Sequence, residues 1–140
     1  MSKKREGFTF GLSALVVIGL IFSIINHQQA DPAQPPKDVV SSKRTITLYN
    51  IAPGNPIRQG GTIRGLYKPA KDEVLSYKCI TSSGALIARG NIIAKPSGHF
   101  ESELDFTRPP KQAETVQLEV FSQDHRGKQV DSLSIDARYQ

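Results

Sequence analysis

The side chains able to do chemistry are few and widely separated along the chain. His27, His99 and His125 each lack a histidine or cysteine three or four residues away, so none has a neighbour with which to share a metal ion. Asp124-His125 could form an acid–base pair, but Asp124-His125-Arg126-Gly127 has the composition of a turn and reads as a solvated loop. Glu101, Glu103 and Asp105 alternate and so project from one face of a strand. Paired carboxylates of this kind can bind a hard cation or move protons. Here the alternate positions hold Phe100, Leu104 and Phe106, the pattern of a strand with one face in water. The lone Cys79 shares its face with Leu75 and Tyr77, which predicts burial rather than reactivity. It also rules out any disulfide within the chain. Nucleophile-elbow and phosphate-cradling glycine motifs are missing. The sequence therefore reads as non-catalytic, with no catalytic residue, metal or cofactor to assign.

Binding is the remaining class of function. The chain has 140 residues, 18 Lys plus Arg against 13 Asp plus Glu, and a formal charge of +5. The charges are scattered, and no basic stripe interleaves with aromatics, which argues against nucleic acid. Three polar turns are the candidate contact loops: Pro53–Gln59 with Asn55, Arg58 and Gln59; Tyr67–Asp72 with Lys68 and Lys71; and Asp124–Lys128 with His125 and Arg126. A partner would be another envelope protein or a cell-wall polymer.

The envelope enters through the N-terminus. Lys3, Lys4 and Arg5 precede Phe8–Ile25, a run without a charged side chain. As a helix it would be roughly 27 Å long, close to the hydrocarbon thickness of a bilayer. The basic cluster stays on the cytoplasmic side, which predicts a single-pass signal anchor with the C-terminal domain outside the cell membrane. Two other fates remain open. Cleavage near Ala30 would release a secreted binder, although Gln28 suits such a site poorly. Lys4-Arg5-Glu6-Gly7-Phe8-Thr9-Phe10 also resembles the start of a type IV prepilin, which implies a minor filament subunit processed after Gly7. The glutamate usual in that family is replaced by Leu12.

Residues 26–43 contain Pro32, Pro35 and Pro36 and few large apolar side chains, and so read as an extended spacer. From residue 44 to 140 the texture changes to short alternating runs bounded by Gly, Pro, Asn or Ser. The runs begin near Thr45, Thr62, Val74, Ala85, His99, Thr115 and Lys128. Val74–Thr81 puts Leu75, Tyr77 and Cys79 on one face, and Thr115–Ser122 does the same with Val116, Leu118 and Val120. No sustained helical period follows residue 44. About seven strands at this spacing predict one all-β antiparallel sandwich.

Thr47-Leu-Tyr-Asn-Ile-Ala-Pro-Gly-Asn-Pro-Ile57 and Gly60-Gly-Thr-Ile-Arg-Gly65 resemble the opening of the immunoglobulin-like domain associated with bacterial spore germination. Ser83–Gly90, Gly98-His99-Phe100 through Phe106, and Val116–Phe121 through Gly127 match its later strands and turns. The resemblance spans most of residues 45–139. It implies an immunoglobulin-like extracytoplasmic sandwich, often tethered to a membrane, and carries over no catalytic residue.

Overall fold

The computed structural model describes residues 37–69 and 72–140. These form two sheets with no helix among them: an all-β sandwich. The readings of the basic leader, Phe8–Ile25, the spacer up to Pro36 and Lys71 lie outside the described residues. Among the described residues, no helix is long and apolar enough to cross a membrane.

In chain order the strands are β1 (Val39–Val40), β2 (Ile46–Leu48), β3 (Pro56–Ile57), β4 (Thr62–Tyr67), β5 (Val74–Thr81), β6 (Leu86–Ile92), β7 (His99–Glu103), β8 (Glu114–Gln123) and β9 (Gln129–Tyr139). One sheet has the order β1-β2-β4-β7 and the other β3-β9-β8-β5-β6. The seven expected strands are all present, and the two additional ones are two-residue pieces with separate causes. The β1 strand pairs Val39 with Leu48 and Val40 with Thr47, so the sheet begins inside the segment read as spacer. Ser41, just after it, is buried. The β3 strand runs parallel to β9, so the sandwich is not wholly antiparallel. Its alignment follows from the turn before it. Gly54 donates its N–H to the Asp136 carbonyl at 2.7 Å, and the amides of Arg138 and Gln140 donate to the carbonyls of Asn55 and Ile57.

Alternation along each strand places one face in the core. Ile46, Leu48, Ile63 and Tyr67 from the four-stranded sheet meet Leu75, Tyr77, Cys79, Val116, Leu118, Val120, Leu133, Ile135 and Ala137 from the other. Phe100 fills the space over Gly65, where an added Cβ would lie 2.0 Å from the Thr47 carbonyl oxygen and 2.6 Å from the phenyl ring. Two segments cross between the sheets side by side at one end. The first is described over residues 67–69 and 72–74 and the second over residues 92–99. They are tied where the Tyr67 amide donates to the Gly98 carbonyl at 2.8 Å. Gly98 has φ of +88°, and a Cβ there would press on the Tyr67 carbonyl oxygen at 2.6 Å. Glycine is the residue that fits the crossing.

Candidate binding surfaces at the two ends

Strand register divides the candidate residues between opposite ends of the sandwich. Ile46 faces Tyr67, Leu66 faces His99, Leu75 faces Ile92, and Val74 faces Gln123. The two crossings and the Asp124–Lys128 turn therefore share one end, called here the arch end. Thr62 faces Glu103, Thr81 faces Val116, and Glu114 faces Tyr139. That places Pro53–Gln59 at the other, the staple end, so the three expected loops cannot form one site.

At the staple end the candidate side chains hold the fold. Asn55 Oδ1 accepts the Ala52 amide at 2.7 Å, closing its own turn. Gln59 bridges to the segment just past β7: Oε1 accepts the Phe106 amide at 2.7 Å and Nε2 donates to Asp105 Oδ1 at 3.1 Å. Arg58 is exposed beside a cavity of about 280 Å³ that Ile57, Thr62, Leu104 and Gln140 also line. The acidic face behaves as a solvated strand face. Glu101, Glu103 and Asp105 are all exposed, and Glu101 pairs with Arg64 at 2.9 Å with both partners more than half in water. A pair so exposed contributes little. Among the described residues, no cluster of three or more His, Cys, Asp or Glu could hold a metal ion.

At the arch end, His125 and Arg126 sit exposed on a turn built by Asp124, whose Oδ1 accepts the amides of Arg126 and Lys128. The Lys128 amide leads, with that of Arg126, in holding the Asp124 carboxyl below its ordinary range. Asp124 therefore serves the turn. Lys68 is exposed, and its amide donates to the Thr45 carbonyl.

The residue that organises this end is Asp131, which the sequence reading did not single out. Only 3% of it is exposed. Its Oδ2 accepts the hydroxyls of Ser41 at 2.5 Å and Thr45 at 2.6 Å, and its Oδ1 accepts the Ser132 amide at 2.9 Å. Burial pushes the carboxyl pKa up, but the bonds from Ser41, Thr45 and the Lys43 and Ser132 amides prevail and hold it at about 2. Strand parity was the available signal. Asp131, Leu133, Ile135 and Ala137 alternate, so the carboxylate had to face inward. Across the core, burial raises the Tyr67 phenol, helped by the bond it donates to Glu73 Oε2 at 2.8 Å. The hydroxyl of Ser122 lies close enough to lower that phenol's pKa, yet it makes no hydrogen bond of ordinary geometry. Cys79 is fully buried, with its thiol pushed up to about 12 by desolvation, and is an inert part of the core.

Between the two crossings lies a groove of about 570 Å³, walled by Tyr67, Pro69, Val74, Ile92, Ile93 and Pro96. Lys68, Glu73 and Lys95 also line it. The sequence reading missed this wall. The Ile92-Ile93 pair was its signal, since neighbours on extended chain face opposite ways and one of the two must leave the core.

No protein-family model matches the chain, and no curated protein matches it. Among solved structures it is similar to CopC from Methylosinus trichosporium OB3b, at 11% identity and a TM-score of 0.35. The alignment covers 74% of this chain and 93% of that one. A likeness of this size does not extend to function.

Proposed function

We propose that this chain is a membrane-tethered, extracytoplasmic binding or scaffold module of the cell envelope, with no catalytic role. In this reading Phe8–Ile25 anchors it, the proline-rich segment spaces it from the bilayer, and an immunoglobulin-like sandwich meets the partner. One observation carries the binding half. Asn55, Gln59, Asp124 and Asp131 all use their side chains to brace loops and strand ends. The fold thus invests its polar groups in holding surface shape, the property a contact surface needs. The tether rests on the uncharged run behind Lys3-Lys4-Arg5.

Protease added to intact cells tests both halves of the topology. The reading expects the sandwich to vanish from the membrane fraction. Protection of the domain would reverse the orientation, and recovery of the whole chain in the soluble fraction would remove the tether.

A further inference from the structure

The solvent face of the five-stranded sheet has a chemistry of its own, set by strand register. Asn91, Ser76, Phe121 and Ser132 follow one another across β6, β5, β8 and β9, and Arg89, Lys78, Glu119 and Ser134 form the next row. Side chains alternate along each strand, so both rows point away from the core. Between Phe121 and the β6 edge this face sinks into a cleft of about 500 Å³, lined by Ser76, Lys78, Arg89, Asn91, Phe121 and Gln123. Ser76 makes the hollow, being a short, buried side chain between the taller Asn91 and Phe121. The β6 strand is the last of its sheet, and among the described residues no strand pairs with its outer edge at Arg89–Ile92. The cleft therefore runs out sideways instead of closing.

The polar groups of the cleft are mostly uncharged and only partly used. Asn91 Oδ1 accepts the Ser76 hydroxyl at 3.1 Å, while its Nδ2 makes no hydrogen bond among the described residues. Gln123 Nε2 donates to the Gly127 carbonyl at 3.1 Å, and its Oε1 accepts no bond among them. Lys78 is already committed: its Nζ lies 2.9 Å from Glu119 Oε2 and 5.2 Å from the centre of the Phe121 ring, which fixes that ring as a wall of the cleft. Arg89, beside Lys78 in register, is exposed and has no salt-bridge partner among the described residues. One spare cation is too few for a polyanion, and a lining this polar does not suit an apolar ligand. An aromatic ring set among amide, hydroxyl and guanidinium groups complements a sugar, whose C–H face packs on a ring while its hydroxyls both donate and accept.

We infer that the cleft binds a segment of a neutral polysaccharide, with one sugar ring packed against Phe121 and its hydroxyls on Asn91, Gln123 and Arg89. The open side lets the chain continue past the β6 edge, so the site takes internal units of a polymer. This inference rests on the binding-module reading and chooses a cell-wall polymer as the partner.

The test uses the full chain in micelles of a phosphocholine detergent, which carries no sugar. Amide chemical shifts follow titration with cellotetraose, with the tetramer of N-acetylglucosamine and with tetragalacturonate. At least one of the two neutral tetramers should give saturable shifts centred on Ser76–Lys78, Arg89–Asn91 and Phe121, and tetragalacturonate should bind no more tightly than that tetramer. Phe121→Ala should weaken the neutral tetramer by roughly tenfold or more, whereas Phe121→Tyr, which keeps a ring, should retain binding. Asn91→Ala should weaken it by about threefold or more. Continued protection of the buried Cys79 thiol verifies the fold of each variant.

The inference is overturned if neither neutral tetramer gives saturable shifts, if the shifts centre away from the cleft, or if tetragalacturonate binds more tightly than both. It is also overturned if Asn91→Ala, or a Phe121→Ala chain with its thiol still protected, binds as the parent does. If no sugar binds while the chain stays in the membrane fraction with its domain outside, only this inference falls. If a neutral tetramer binds at the cleft of a chain recovered from the soluble fraction, the inference stands and the tether falls.

Discussion

The staple end and the arch end are built from the same strands but finished differently. At the staple end, polar side chains close the gaps: Asn55 caps its turn, Gln59 reaches across to Phe106, and β3 lies parallel along β9. At the arch end the polar investment lies deeper, in Asp131 and its ring of hydroxyl and amide donors. The groove above is lined by isoleucine, valine and proline with two lysines and a glutamate, Glu73. One end is tied by side-chain hydrogen bonds around a cavity of about 280 Å³, and the other is braced from within beneath an exposed apolar surface.

The contrast can be broken by substitution, and Cys79 provides a common readout because its buried thiol reacts with alkylating reagents only when the sandwich opens. The largest effect is expected from Gly98→Val. A β-branched residue at a positive φ, pressing on the Tyr67 carbonyl, should cost about 4 kcal/mol and spread the two crossings. Asp131→Ala comes next, at about 3 kcal/mol in urea unfolding, because Ser41, Thr45 and the Ser132 amide lose their acceptor.

The same carboxylate fixes an acid limb. Its folded pKa is depressed to about 2, so its stabilisation is fully present above the unfolded value near 4 and is lost as pH falls toward 2. The difference is about 2–3 kcal/mol, and Asp131→Asn should flatten that limb. Gln59→Ala, at the staple end, should cost about 1–2 kcal/mol through the unpaired Phe106 amide. Ile93→Asp and Arg126→Ala should each change stability by less than about 0.5 kcal/mol, as both side chains are exposed. A large loss from either would mean that the arch rim is structural, and the contrast between the ends would disappear.

Local pattern made much of the sandwich legible. The alternation in Val74–Thr81 and Thr115–Ser122 named the inward faces, and the company of Leu75 and Tyr77 placed Cys79 in the core. The parallel alignment of β3 was not legible, because it depends on where a turn at Pro53-Gly54 meets a strand some eighty residues later. The arch end was half visible. Lys68 stood out as a loop cation, whereas Ile93 and Lys95 gain meaning only when two crossings distant in sequence lie side by side. Asp131 was readable from strand parity alone, but nothing local reveals that Ser41 and Thr45 come to meet it.

The most direct test of the central claim, a sandwich held at the membrane and meeting partners outside it, is the intact mass and N-terminal sequence of the mature chain from separated membrane and medium fractions. The account predicts a membrane-bound chain that retains Lys3 to Phe8. A product in the medium beginning near Asp31, or a chain beginning at Phe8, would contradict it, the first in favour of a diffusible binder and the second of a filament subunit.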